Sequence, residues 1–360
     1  MVEVSVSRDL RVYAIAADSQ QLLERLGVWA GLRQRRVSPY SGMRVWDAGG
    51  GGELDIDATT LGVPQLGHIV EHSLIAERLH AALIEAGVRV EATALDGIEN
   101  DRDENERRGS ADAPGATARG GVSAQLADGR RLRARWLFGA DGARSAVREA
   151  LGIGVNATDY AASGLVAYLR PQHSHEATCW QRFLPTGPLA LLPCSDGRVS
   201  IVWSLPQPEA ERLAEVSAEQ FEAEIARASD RVLGALTLDG ERRLFPLKRM
   251  LAARMHVGRC ALLGDAAHVV HPLAGQGVNL GLRDVAALLH AVDASRSRGE
   301  WLTPARLERW ARARHSENGL AAHAFDAIHR AYSNDAVLPV ALRGRALGAA
   351  NLPPIRRMLW

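Results

Sequence analysis

One segment of this 360-residue chain constrains the fold more than any other. Between Cys260 and Asp284 an apolar run stops at Gly264-Asp265 and, beyond a glycine-rich loop, restarts as a helix. Cys260-Ala-Leu-Leu263 reads as a short buried strand, and in an open α/β sheet ligands sit just past the carboxyl ends of strands. A carboxylate placed there accepts hydrogen bonds from ligand hydroxyls, such as those of a sugar-like chain. The loop Pro272 to Gly277 then feeds a helix starting near Val278. Gly275 and Gly277 let the backbone come close to a flat ligand. The helix start supplies free N–H groups and partial positive charge, which stabilise a ring that gains negative charge on reduction. Taken alone, Gly275-Gln276-Gly277 through Gly281 is equally a tight turn with helix packing, and its spacing is not that of the GxGxxG dinucleotide fingerprint. Its fixed offsets from Gly264-Asp265 and His271-Pro272 favour a ligand.

Trp136 to Arg148 repeats the arrangement. An apolar strand ends in Gly139, Asp141-Gly142 makes a turn, and Ser145 is placed to cap a helix. Asp-Gly alone is an ordinary turn. At a strand's carboxyl end, however, Asp141 and Arg144 could read charged groups of a cofactor.

The rest of the chain alternates in character. Leu22, Leu23, Leu26 and Trp29 predict a helix within the first 34 residues, entered from a loop. Residues 35–70 read as strands and turns. Ser73–Ala86 reads as a helix capped by Gly87, with Val88-Arg89-Val90 starting a strand. Residues 100–121 are charged and glycine-rich and read as a solvated hairpin loop. Strand patterns follow at Val122–Leu126 and Leu132–Phe138. Further strands are expected at Gly164–Leu169, Leu189–Leu192, Val199–Trp203 and Arg242–Leu247, with one helix over about Ala218–Leu236. Arg259–Leu263 reads as a strand, Val278–Val292 as a helix, and the tail from Pro304 to Trp360 as mostly helical. The order suggests a nucleotide-binding layer interrupted by an antiparallel sheet domain.

Composition narrows the function. With 43 Lys+Arg against 42 Asp+Glu the formal charge is +1, which argues against nucleic-acid binding by bulk electrostatics. Cys179, Cys194 and Cys260 form no CxxC pair and no disulfide framework, fitting a reducing compartment. No apolar run reaches the length of a bilayer-spanning helix, and the first residues lack a signal-peptide core. A soluble cytoplasmic protein is expected.

Gly139 to Arg148 resembles the Asp-Gly motif of the FAD-dependent aromatic hydroxylases. Gly264 to His268, with His271 to Gly281, is similar to their Gly-Asp motif and flavin-ring loop. Gln181 to Pro193, Ser200 to Ser204, and Arg11 to Trp29 narrow the resemblance to the hydroxylases of ubiquinone biosynthesis, over nearly the whole chain. The resemblance implies an α/β fold: an incomplete, doubly wound FAD-binding domain interleaved with an antiparallel-sheet substrate domain, plus C-terminal helices. Its expected boundaries are 1–34, 71–159 and 253–300 for the FAD domain, 35–70 and 160–252 for the substrate domain, and 301–360 for the helical region. It also implies a strand, GxGxxG turn and helix of about 30 residues ahead of Arg11. The chain opens where that unit should end; an incomplete sequence is favoured over a short protein that no longer binds FAD, and completion of the sheet by another chain ranks last.

By the same resemblance Arg11 approaches the FAD phosphates, and Asp141 with Gly142 takes part in FAD and NAD(P)H contacts. Asp265, beside Gly264, accepts the ribityl hydroxyls. Pro272, Gly275, Gln276 and Gly277 lie along the isoalloxazine ring. The implied chemistry is reduction of FAD by NAD(P)H, reaction with O2 to a C4a-hydroperoxide, and hydroxylation of a polyprenylated phenol; no catalytic side chain is assigned. Two other readings stay open: a flavin-free scaffold subunit of a biosynthetic complex, and a hydroxylase of a soluble aromatic acid. His268 with His271, and His173 and His175 near Cys179, lack the second half of a metal site. A lipid-resident substrate further implies peripheral contact with the inner membrane, directly or within a ubiquinone-biosynthesis complex. Val337 to Trp360, with its Leu, Met, Trp and four arginines, is the candidate contact, the alternative being packing against the protein itself.

Overall fold

The computed structural model describes residues 9–49, 52–100, 121–270, 277–296 and 301–332. The predicted loop 101–120, Pro272, Gly275, Gln276 and the proposed membrane segment 337–360 lie outside the described residues. In chain order the elements begin with β1 (Val12–Ile15), α1 (Ala17–Arg25), α2 (Trp29–Arg33), β2 (Val37–Tyr40), β3 (Gly42–Asp47) and β4 (Glu53–Asp57). They continue with α3 (Ala58–Leu61), β5 (Gly67–Glu71), α4 (His72–Glu85), β6 (Leu95–Asn100), β7 (Val122–Leu126), β8 (Arg131–Ala134), β9 (Leu137–Gly139) and α5 (Ala146–Ala150). Then come β10 (Val155–Pro171), β11 (Thr178–Leu184), β12 (Gly187–Pro193), β13 (Val199–Pro206), α6 (Gln207–Glu215), α7 (Ala218–Ala228), β14 (Leu236–Leu238) and β15 (Arg243–Ala252). The last are β16 (His256–Val257), β17 (Cys260–Leu262), a 3-10 turn (Gly264–Ala266), β18 (His268–Val269), α8 (Gly277–Arg296) and α9 (Pro304–Tyr332).

A nine-stranded sheet runs β18-β15-β10-β13-β12-β11-β3-β4, with β14 added to β10. It is antiparallel except where β11 meets β3. Its strands alternate between two cores, as a period of two requires. Leu165, Ala167 and Leu169 of β10 face one way, with Leu189, Leu191 and Ile201, and α6 and α7 cover them with Leu213, Phe221 and Ile225. Val166, Tyr168, Ala190 and Leu192 face the other way, against Val12, Ala14 and Ile69 of the small sheet β1-β5-β2. Each fully buried side chain of the Leu or Phe class contributes about 1.5–3 kcal/mol. The two-sided core is therefore what holds the long strands in register. β9 and β17 form a parallel pair, extended by β16, and pack with α5, α8 and α9 through a third core that includes Val147, Leu262, Leu307 and Trp310.

Several expectations change. The N-terminal region opens with strand β1, not a loop, because Val12, Ala14 and Ile15 find β5 as a partner. Val88-Arg89-Val90 forms no strand; Val88 and Val90 are exposed. The run Leu132–Phe138 divides between two sheets, β8 pairing β7 and β9 pairing β17. The helix expected to reach Leu236 stops at Ala228, where Asp230 and Arg231 adopt positive φ and turn the chain into β14. Helix α6, led in by Pro208 in its first turn, had no periodicity long enough to announce it. α4 ends as predicted, with Gly87 at φ +70°. β2 joins β1 and β5, while β3 and β4 join the large sheet, so residues 35–70 divide between two sheets.

Candidate active site

β9 and β17 lie side by side with Leu137 opposite Cys260 and Gly139 opposite Leu262. Both motif turns therefore leave the same edge of one parallel pair. Gly139 permits this spacing: a Cβ there would stand 2.7 Å from Val147 Cγ1 and 3.0 Å from Leu262 Cδ2. The Leu263 N–H donates to the Gly139 carbonyl at 2.8 Å, continuing the pairing into the turn.

In the first turn Gly142 takes φ +81°. Asp141 Oδ1 accepts from Ser145 Oγ at 2.5 Å and Oδ2 from the Val147 N–H at 3.1 Å. Ser145 caps α5 as predicted, its Oγ accepting from the Arg148 N–H at 2.9 Å. Arg148 donates one Nη to the Ala143 carbonyl and the other to the Ala266 carbonyl, each at 2.9 Å. One guanidinium thus staples the Asp-Gly turn to the Gly-Asp turn. Asp141 spends both oxygens on this framework.

The second turn differs. Gly264 takes φ +57°, and a Cβ at Gly281 of α8 would meet its Cα at 3.2 Å. Helix and turn approach so closely only because both residues are glycine. Asp265 is exposed and, among the described residues, has no hydrogen-bond partner. The protein around it strips enough water from the carboxyl to raise its pKa above the ordinary aspartate value, an effect His268 partly offsets. Gly277 opens the 20-residue α8, whose start lies in the same neighbourhood.

Arg11 precedes β1, its guanidinium half-exposed with Nε 3.8 Å from Asp9. Tyr13 senses both predicted residues: burial raises its pKa, the Arg11 charge opposes this, and the Asp265 charge adds to it. Tyr13 is thus near enough to both Arg11 and Asp265 to feel their charges. The Tyr13 hydroxyl meets His72 Nδ1 at 3.2 Å, and burial and Arg11 hold His72 below the ordinary histidine value. Sequence reasoning passed over Tyr13 and His72, which stand far apart in the chain. It also passed over Asn279, fully buried. Its Oδ1 accepts from the Ala16 N–H at 3.0 Å and its Nδ2 donates to the Ala14 carbonyl at 2.8 Å, locking α8 to the end of β1. Its place two residues after Gly277 was the available signal. His268 donates to Asp284, and His175 contacts the Cys194 carbonyl; His271 lies outside the described residues.

This is the geometry on which the comparisons bear. The family described as the FAD binding domain matches residues 6–316. The chain is 34% identical to the 3-demethoxyubiquinol 3-hydroxylase of Escherichia coli over 356 residues, covering 97% of this chain and 81% of the relative. It is 36% identical to ubiquinone hydroxylase UbiL of Rhodospirillum rubrum over 360 residues, covering 97% and 78%. Among solved structures, the p-nitrophenol 4-monooxygenase PnpA of Pseudomonas putida superposes with a TM-score of 0.74 at 17% identity, covering 98% of this chain and 87% of that one. The chain belongs to the FAD-binding-domain family, and its fold is that of the FAD-dependent monooxygenases. Within that class it is an FAD-dependent monooxygenase of the ubiquinone-hydroxylase type, as the resemblance implied.

The residues present fit a flavin. An unpartnered carboxylate at a strand end offers acceptors to a polyhydroxylated chain, and the half-exposed guanidinium of Arg11 offers positive charge to phosphates. The start of a long helix lies beyond them.

Proposed function

We propose that this protein hydroxylates the ring of a polyprenylated phenol in ubiquinone biosynthesis, using FAD, NAD(P)H and O2. The observation that carries the reading is the pair of motif turns on β9 and β17, stapled by Arg148, with Asp265 left open to a ligand. When bound, FAD supplies the activation of O2 that inserts one oxygen atom into an electron-rich ring. The chain's part is to hold and shield. Asp265 accepts the ribityl hydroxyls, Arg11 neutralises phosphate charge, and Asp141 with Gly142 shapes the neighbouring turn. By the resemblance, Pro272, Gly275, Gln276 and Gly277 are assigned to the isoalloxazine ring. The FAD side comprises residues 1–34, 71–159 and 253–300, and the substrate side 35–70 and 160–252, where the sheet face holding Tyr168 and Phe183 is apolar. A polyprenyl tail is lipid-soluble, so the substrate reaches the protein from a membrane surface or a partner enzyme of the same pathway. The named relatives, a 3-demethoxyubiquinol 3-hydroxylase and a ubiquinone hydroxylase, support the substrate class.

The test uses the purified protein together with the N-terminal strand, GxGxxG turn and helix that the resemblance implies ahead of Arg11. It is expected to carry FAD and to oxidise NAD(P)H faster when a polyprenylated phenol is added, with a product heavier by one oxygen atom. NAD(P)H oxidation that responds to soluble aromatic acids and ignores the prenylated phenol overturns the substrate assignment.

A further inference from the structure

The buried face of α9 changes chemistry along its length. Leu307, Trp310 and Ala311 are apolar and join the core beneath α8. One and two turns further on, the same face buries Arg314 and Asn318, at 5% and 2% exposure. Burying a guanidinium is costly unless it is paired, and its partner is Asp284 of α8, which is 0% exposed.

Asp284 serves two regions at once. Its Oδ1 accepts from Arg314 Nε at 2.8 Å and Asn318 Nδ2 at 2.9 Å. Its Oδ2 accepts from the Gly264 N–H at 3.0 Å and His268 Nε2 at 2.6 Å. Its own carbonyl accepts from Trp310 Nε1 at 3.1 Å. One oxygen is therefore held by α9, and the other holds both ends of the Gly264–His268 turn. Arg314 Nη donates in addition to Asn318 Oδ1 at 2.8 Å, so the three side chains form a closed set. Asp284 lies one helical turn past Gly281, the glycine against which Gly264 packs.

We propose that Asp284 is a positioning residue for the flavin: seated by Arg314 and Asn318 of α9, it fixes the turn that carries Asp265, so that the docking of α9 sets flavin affinity. The inference rests on the reading above that this turn holds the ribityl chain. No side chain of the network is required to touch the flavin. Without Arg314 the buried carboxylate loses its permanent cation and is freed to rotate, and Gly264 and His268 lose a fixed acceptor.

α9 supplies its own control. Farther along, Asp326 accepts from Tyr160 Oη at 2.5 Å and stands 3.7 Å from Arg249, which also donates to Asn156 at 3.0 Å. This second buried latch fastens α9 to β10 and β15, not to the turn.

The test compares Arg314→Met, Arg314→Lys and Asp326→Asn in the full-length protein. The readings are the FAD dissociation constant, hydrogen exchange of the peptide spanning 260–269 in the apoprotein, and the unfolding midpoint. Arg314→Met is expected to weaken FAD binding about tenfold or more and to speed exchange in that peptide. Arg314→Lys should recover part of both, because it restores charge without the guanidinium fork. Asp326→Asn should lower the midpoint while leaving both local readings within about twofold. An Arg314→Met protein that is less stable but keeps the parental exchange rate and FAD affinity overturns the proposal. If that variant fails to fold, Asn318→Ala, which removes one donor, carries the same readings. Asp265→Ala is measured alongside. Unchanged FAD affinity there means the turn is not the flavin site, whereas unchanged exchange in Arg314→Met refutes the positioning role by itself.

Discussion

Asp141 and Asp265 stand at the ends of adjacent parallel strands, each beside a glycine with positive φ, yet they do opposite work. Asp141 gives both oxygens to its own helix, accepting from Ser145 and Val147. Asp265 gives neither to any described residue. A carboxylate that caps a helix is part of the fold's hydrogen-bond accounting. One left open in a partly desolvated position raises its own pKa and is available to a ligand. Motif likeness does not distinguish the two; the partners do.

Two substitutions separate them, in descending order of effect. Asp265→Ala should raise the FAD dissociation constant roughly ten- to a hundredfold, the worth of charge-assisted hydrogen bonds at about 1.5–3 kcal/mol, with the apoprotein's unfolding midpoint little changed. Fluorescence titration with FAD and thermal unfolding check both halves. Asp141→Ala should reverse the pattern, costing about 1–2 kcal/mol of stability through loss of the α5 start and affecting FAD only through that loss. Denaturant unfolding of the apoprotein measures it, and a large FAD effect with unchanged stability would make Asp141 a ligand contact instead.

The smallest effect is a pH dependence of opposite sign at two carboxylates. Asp265 has its folded pKa above the unfolded value, so its ionisation opposes folding, and acidification through that raised pKa relieves the strain. For Asp284 burial works to raise the pKa, but His268, Asn318 and Arg314 outweigh it and hold it below the ordinary value. Its stabilisation is present above the unfolded aspartate pKa and is lost as pH falls through the folded one. Asp265→Asn should therefore stabilise the apoprotein slightly near neutral pH while weakening FAD binding. Asp284→Asn should destabilise at neutral pH, and its deficit should shrink in acid. Apoprotein unfolding from pH 3 to 7 tests this, and parallel shifts for both variants would contradict it.

Much was legible before any coordinates. Gly264-Asp265, Asp141-Gly142 and the Ser145 cap are local: strand end, turn and helix start fall within a dozen residues, and glycine and serine announce their backbone roles. α4 and its Gly87 stop were read for the same reason. Two of the misreadings were long-range. β1 is a strand because β5, more than 50 residues later, pairs with it. Leu132–Phe138 breaks in two because β7 and β17 compete for its halves.

The sequence by itself determined two strand-ended turns and a glycine-led helix, since each depends on neighbours within a few residues. Only the tertiary structure decided which aspartate stays open, that Arg148 joins the two turns, and that Asp284 binds Gly264 to a helix starting 40 residues after it. Those facts depend on which buried polar groups meet in space. A buried charge takes whatever partner the packing of distant apolar faces brings within hydrogen-bond reach, and no local pattern records that choice.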